Sequence, residues 1–573
     1  MWSKFPVRYV KMAATTRVPI SSCSAIKMPE RLPIPQNERL IPAASHSVAI
    51  PGNAQKSARA NFFRFIFEPR TQPDMLRKNE QLQQLYQHRL DAVTTLLGQQ
   101  MSPFQRTIYR DFENLKNKMH QQMIGKKQFK HFEKDLINLL AAHLPRCGSA
   151  GKIKAQAKSL YKKAVVDFIN QQEWKMLHRR FHYNNHFYHS RLTPAGQIKL
   201  GEKDIFKITY DNKGISSGTS TCKDHATNLW LSEFIASDVD HLQDKDRETV
   251  LFKGIRHGIL SPYGLRGKHE RAAGALHRAR EVVTAALFLQ PEKLQHALKT
   301  GVCVSLKLTS TSLVTAFNFG HQTEGKQIAE QLAAWKTLSQ EKPCHLEVRD
   351  EDGVLKKIRV DLDIVAFNFG VNEAALKFNM GWTQSDTHNL EGLHGLLGDD
   401  LTPAGKEGGW VGDYLAQANP PANAQSVKAL SLQIRQIWEK KLHRRDHGEP
   451  YKLAQRIALL SHAIGVIPCY NCKSGKDRTG MLDSEIKREA VELYSGTPPS
   501  IPGVALSAQQ KILFHRVLEH SGNLEIQKKN TGAPGNKVLK KISFYFGNLS
   551  IRSRIDDADI FSRIKSYSSI VKS

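Results

Sequence analysis

No apolar run in the 573-residue chain is long enough to cross a bilayer as a helix. Lys, Arg, His or Gly interrupts every candidate within a few residues, so a soluble or membrane-peripheral chain is expected. Cysteine is scarce and scattered, at positions 23, 147, 222, 303, 344, 469 and 472. Only Cys469 and Cys472 form a C-x-x-C, and no second Cys or His pair follows at zinc spacing. An odd, scattered set points to free thiols in a reducing compartment rather than a disulfide framework. Acidic residues are outnumbered: 54 Asp and Glu face 83 Lys and Arg, for a net charge of +29. Such a surface attracts polyanions, whether nucleic acid, anionic membrane or polyphosphorylated small molecules. No recognisable nucleic-acid motif accompanies the charge, so nucleic acid is not the expected partner.

The acid deficit is extreme at the start. The first 29 residues contain no Asp or Glu and carry Lys4, Arg8, Lys11, Arg17 and Lys27. They lack the apolar core of a secretory signal, and fit an organellar transit peptide or an unstructured export signal. Polar, proline-dotted sequence continues, so residues 1–60 are expected to be disordered. The aromatic run NFFRFIFEPR opens segment 61–74, readable as an edge strand or as a docking strand for a chaperone. Residues 75–200 are expected to form a basic, mostly helical domain. Leu82, Leu85 and Tyr86, then Phe132, Leu136, Leu139 and Leu140, follow helical spacing. From Lys152 to Lys199, ten Lys and Arg stand against Asp167 and Glu173, with aromatics and histidines interleaved. The bland reading is a solvated helix face. The functional one is a surface for anionic membrane or an acidic partner.

From 201 to 550 the pattern is mixed. β-like runs at 302–308, 345–348 and 357–368 alternate with helical stretches at 325–338 and 427–441, which is α/β composition. An echo, AFNFG at 316–320 and at 366–370, suggests two equivalent strand–turn elements. Residues 551–573 read as a loose, polar, Ser-rich tail. The fold class expected is thus an α/β catalytic domain, preceded by helices and a disordered N-terminus.

Chemistry concentrates in Asn471–Gly480, NCKSGKDRTG, which holds Cys472 and Arg478 in a C-x5-R frame. An apolar run, Ala463–Tyr470, precedes it as a candidate strand, and Thr479–Tyr494 follows as a candidate helix. A five-residue loop wound around an oxyanion turns its N–H groups inward, and the helix adds its positive end. These dipoles and Arg478 favour thiolate, so Cys472 is the candidate nucleophile for a phosphocysteine intermediate. Arg478 can grip two phosphoryl oxygens with its planar fork. Thr479 can hydrogen-bond the sulfur, and Gly475 allows the tight turn. Ser474 completes the anion-binding loop. Lys473 and Lys476 exceed what a single phosphate needs and fit a substrate with several. The leaving oxygen needs a proton, from Asp477 in the loop or from Asp386, Asp399, Asp400 or Asp413 upstream. Cys469 is either a resolving thiol or a small buried strand residue. No metal or cofactor is required.

The loop resembles those of the inositol polyphosphate 4-phosphatases and, more closely, of the SopB/SigD/IpgD family of type III secreted inositol phosphate phosphatases. Further matching segments are Asn368–Glu373 (NFGVNE), Gly408–Gly412, Gly448–Arg456, Asp483–Glu489, Asn523–Gln527 and Asn530–Val538. The resemblance implies action on phosphoinositides, notably phosphatidylinositol 4,5-bisphosphate, and on soluble inositol polyphosphates. Cys472 would be the nucleophile, Arg478 the phosphate-binding arginine, and Lys473 and Lys476 contacts to ring phosphates. Asn368 and Asn372 would help to build the pocket. It further implies secretion with a dedicated chaperone, residence in the host cytoplasm and at the inner face of host membranes, and a Rho-family GTPase partner for the helical region. Two other readings stand beside it. A protein tyrosine phosphatase is disfavoured by the two loop lysines and the lack of an evident W-P-D loop. In the other, the helical N-terminal third acts mainly as a binding module.

Overall fold

The computed structural model describes residues 72–535 with short interruptions, the longest at 205–225, and isolated positions between 555 and 564. The expected disorder of 1–60 and the docking segment up to residue 71 lie outside the described residues. So does Asn372. The described residues belong to one compact unit, Pro69–Ser573.

Among the described residues, four helices come first: α1 (Gln72–Gln100), α2 (Arg106–His120), α3 (Lys126–His143) and α4 (Ala150–Gln171). Their apolar residues recur at helical spacing and meet in one core. Leu82, Leu85, Tyr86 and Val93 of α1 face Phe112 of α2, Phe129, Phe132 and Leu136 of α3, and Ala157 and Tyr161 of α4. Each such large side chain, fully buried, contributes about 1.5–3 kcal/mol.

Helical structure does not continue to 200, as the spacing suggested. Residues 177–194 form a hairpin, β1 (Leu177–Tyr183) and β2 (His186–Pro194). Asn184 and Asn185 connect them at φ 46° and 66°, the left-handed pair that a two-residue hairpin turn requires. The interleaved aromatics are cross-strand pairs: Phe181 stacks on Tyr188 at 5.4 Å, and Tyr188 on Phe234 at 5.9 Å. Basic residues at outward positions had masked a period of two.

Six more strands complete the sheet: β3 (Trp230–Ser237), β4 (Glu248–Gly258), β5 (Val304–Ser312), β6 (Cys344–Arg349), β7 (Leu355–Asn368) and β8 (Ile467–Cys472). Their spatial order is β1-β2-β3-β4-β8-β5-β7-β6. The central β4, β8, β5 and β7 are parallel, and the outer strands are antiparallel. All six residues of β8 are buried, as expected for a parallel strand covered on both faces. The 302–308, 345–348 and 357–368 runs are β5, β6 and β7.

Among the described residues, ten α-helices follow the hairpin: α5 (Lys268–Leu287), α6 (Pro291–Thr300), α7 (Glu324–Gln340), α8 (Trp382–Leu397), α9 (Gly409–Leu415), α10 (Ala424–Glu439), α11 (Lys452–Ala463), α12 (Asp477–Tyr494), α13 (Ala508–His520) and α14 (Asn523–Thr531). On one side of the sheet, Ala279, Val282 and Val283 of α5 pack with Trp335 of α7 and with Leu306, Leu362, Ile467 and Cys469. None of the described helices is long and apolar enough to cross a membrane.

Three smaller expectations change. Ala463 ends α11, and the strand begins only at Ile467. The AFNFG copies are not equivalent, because Ala316 lies beyond the end of β5 whereas Ala366–Asn368 close β7. The tail is not wholly loose: Ile555, Ile560 and Ile564 are buried, and Arg563 bonds Glu519 at 2.6 Å. A serine-rich average had hidden three aliphatic anchors.

The register brings four strand ends together. Gly258 lies opposite Cys472, Ser312 opposite Asn471, and Asn368 opposite Ser312. This carboxyl edge, where helices depart from parallel strands, is the usual place for a ligand crevice.

Candidate active site

The last residue of β8 is Cys472, and α12 begins at Asp477. Between them the chain makes one tight loop at the carboxyl edge. Gly475 sits at φ 68°, and a Cβ there would lie 2.7 Å from Gly258 N and from the His257 carbonyl. Both the backbone angle and the close approach therefore demand glycine. Three neighbours hold the loop's carbonyls outward. Ile259 N–H donates to the Lys473 carbonyl (3.2 Å), Asn228 Nδ2 to that of Ser474 (2.6 Å), and Arg256 Nη2 to that of Gly475 (3.3 Å). With those carbonyls turned away, the loop's remaining polar capacity is its N–H groups.

Cys472 is buried, and its own N–H donates to Thr479 Oγ1 at 2.8 Å. Burial pushes its thiol up, but the Arg478 guanidinium and hydrogen bonding with Thr479 outweigh it. The net shift is downward, toward thiolate. Arg478 is fixed on its far side: Nη1 donates to the Leu313 carbonyl (2.8 Å) and Nη2 to Glu324 Oε1 (3.2 Å). Glu324, the first residue of α7, also accepts from Thr315 N–H. Burial raises its carboxyl, yet Arg478, the Thr315 N–H and Lys473 hold it below the ordinary range. Tyr451, buried just before α11, feels the charges of Arg478 and Cys472. Burial drives its phenol upward, so it stays neutral there.

Lys473, Ser474, Lys476, Asp477 and Arg478 are half-buried, whereas Cys472, Gly475 and Thr479 are buried. Asn368 closes β7 two strands from Cys472. Its Nδ2 donates to Ser385 Oγ (2.7 Å), and its backbone exchanges hydrogen bonds with the Asn389 side chain.

The upstream acids are engaged elsewhere. Asp386 accepts from His443 Nε2 (3.1 Å) and Arg444 Nε (2.8 Å). Burial would raise its carboxyl, but these two partners hold it below the ordinary range, which suits an ion pair and not a proton donor. Asp399 pairs with His394 (3.4 Å), and Asp400 caps Thr402 at its N–H (3.0 Å) and hydroxyl (2.7 Å). Asp413 lies 3.9 Å from Lys307. Asp477 is the first residue of α12, half-buried and next in the chain to Arg478. Cys469 belongs to the core beneath the sheet, and burial alone drives its thiol well up. Its resolving role falls away, because residues 469 and 472 point to opposite faces of a strand.

Sequence reasoning missed Glu324, Asn228 and Arg256. Nothing in their local spacing marks them. Asn523 and Asn530, by contrast, lie in segments picked out by resemblance, and they brace the loop. Asn530 and Asn228 exchange two amide bonds of 3.0 Å, and Asn523 takes a bond from Arg256.

Comparison with known proteins decides the affiliation. Residues 80–571 match the family model described as enterobacterial virulence protein IpgD. The chain belongs to the IpgD family. Among its relatives is the inositol phosphate phosphatase SopB of Salmonella typhimurium, 42% identical over 504 residues, covering 86% of this chain and 88% of the relative. The inositol phosphate phosphatase IpgD of Shigella flexneri is 42% identical over 423 residues, covering 73% and 76%. Among solved structures, the Legionella phosphoinositide phosphatase SidF shares the fold. Its TM-score is 0.55 at 12% identity, over 85% of this chain and 90% of that one.

Proposed function

We propose that this IpgD-family chain is a cysteine-dependent phosphatase of phosphoinositides, notably phosphatidylinositol 4,5-bisphosphate, and of soluble inositol polyphosphates. One observation carries the reading most: a buried thiol is held below its ordinary pKa at the head of a helix, facing an arginine that Glu324 fixes in place. The names of the relatives supply the substrate class.

The Cys472 thiolate attacks phosphorus in line. A sulfur–phosphorus bond forms as the bond to the ring oxygen breaks, and that oxygen takes a proton from Asp477. Arg478 and the loop N–H groups hold the equatorial oxygens. Water then attacks the phosphocysteine, Asp477 accepts its proton, and sulfur leaves as thiolate, helped by Thr479. Lys473 and Lys476 bind the neighbouring ring phosphates. As a virulence-family member, the protein would act after delivery into a host cell, on the cytoplasmic side of host membranes.

The test is phosphate release from short-chain phosphoinositides and inositol polyphosphates by wild type and Cys472→Ser. Release that vanishes with Cys472 is expected. No release by folded wild type, or a clear preference for phosphotyrosyl peptide, overturns the reading.

A further inference from the structure

The exposed face of α4 is unusually one-signed. Lys154, Lys158 and Lys162 follow one another at four-residue steps, so they form a single row along the helix. Lys152 and Lys163 flank the row, and all five are exposed. The only acid in the helix is Asp167. Some exposed cations elsewhere have partners, as Lys342 has with Asp361 and Asp363, and Lys356 with Asp350. The α4 lysines have none among the described residues.

Their location gives the row a purpose. Ile169 at the end of α4 packs with Trp174, Leu192, Trp230 and Ile526. Trp230 lies opposite Arg256, two residues before the carboxyl end of β4. α4 is therefore anchored at the same sheet edge as the Cys472 loop. Basic residues continue toward that loop. Lys175 is exposed just past α4, beside the half-exposed Met176. Burial and the nearby Lys175 charge push Lys529 below the ordinary lysine range, so like charges gather here. The next residue, Asn530, joins Asn228, which holds the Ser474 carbonyl.

We propose that the row Lys154–Lys158–Lys162, continued by Lys175 and Lys529, is a docking face for an anionic lipid bilayer. It presents the carboxyl edge, and with it the catalytic loop, to a headgroup in the membrane. The proposal rests on the phosphoinositide reading above. A lysine near an anionic membrane contributes about 1 kcal/mol, so neutralising three weakens binding on the order of a hundredfold.

The experiment measures binding of the full chain, carrying Cys472→Ser, to phosphatidylcholine vesicles with and without phosphatidylserine. Two variants are compared: Lys154→Gln/Lys158→Gln/Lys162→Gln, and a control of equal charge change, Lys293→Gln/Lys299→Gln/Lys336→Gln, on α6 and α7. The row variant should lose about a hundredfold on phosphatidylserine vesicles, and the control less than about threefold. In chains that keep Cys472, both should hydrolyse a soluble inositol polyphosphate like wild type, which also shows that they fold. Equal binding by row variant and wild type, equal loss in both variants, or no wild-type binding to phosphatidylserine vesicles overturns the proposal. Failure of wild type on the soluble substrate would strike the function reading instead, and leaves the vesicle result readable.

Discussion

Thr479 is the residue whose role separates most cleanly by pH. Its hydrogen bonding holds the Cys472 thiol down against burial. Thr479→Ala should move the acid limb of kcat/KM to higher pH, and alkylation of the thiol by iodoacetamide should shift in parallel. The rate should also fall about tenfold or more, because the departing thiolate loses support. Lys473 and Lys476 answer a different question. If they bind ring phosphates, Lys473→Ala/Lys476→Ala should cost about 100-fold in kcat/KM on an inositol polyphosphate. On p-nitrophenyl phosphate, which has one phosphate, the loss should stay within about fivefold. Equal losses on both substrates would make them general loop braces. This loop was legible because strand, C-x5-R and helix are contiguous in sequence. Glu324, 154 residues away from Arg478, was not, since only the parallel packing of β5 against β8 brings α7 to the site.

At the scale of elements, α12 is bound to the sheet by buried charge. Asp483 accepts from Ser232 (2.8 Å), Tyr470 (2.7 Å), Lys487 (2.7 Å) and Asn523 (2.9 Å), all buried. Burial raises its carboxyl, but Lys487 and Arg256 outweigh that and bring it to about 2. A depressed carboxyl contributes stability above the unfolded value of about 3.9, and that contribution fades as pH falls through about 2. Asp483→Ala leaves Lys487 uncompensated and should destabilise the fold by about 3–5 kcal/mol at neutral pH. Urea titrations at neutral and acid pH check it: the gap between wild type and variant should narrow as pH falls toward 2. Element types were readable where one period ran long, as in α1 to α4 and in β5 to β7. The β1–β2 hairpin was misread because His178, Arg179, Arg180 and His182 are all exposed, so β1 shows no clean alternation and imitates a solvated helix face. Asp483 itself looks like an ordinary surface acid in sequence, and only the docking of α12 on β3 and β8 reveals that it is buried.

For the whole molecule, the net charge of +29 should act as a long-range funnel for polyanions. With an inositol polyphosphate, kcat/KM should fall about tenfold or more as ionic strength rises from about 0.05 to 0.5 M. The maximal rate at saturation should change little, because screening acts on approach and not on chemistry. A salt-independent kcat/KM would confine the charge to other partners. Composition had suggested this much. It could not say where the charge gathers, because that depends on α4 being pinned to the carboxyl edge by Trp174 and Trp230, which stack at 5.3 Å.

The central position of β8 has a further consequence. Strands β1 to β4 lie on one side of it and β5 to β7 on the other, and the two groups meet only through it. β8 is thus the seam of the sheet, supplied by one of the last parts of the chain, and its final residue is Cys472. A chain cut between Asn368 and Ile467 has two half-sheets, each with a raw edge, and lacks Cys472. Joining them requires pairings about 160 and about 210 residues apart in sequence, which makes closure slow. Catalytic competence should therefore return with the slowest phase of refolding, after most helical signal has recovered. The enzyme's activity doubles as a readout that its own assembly is finished.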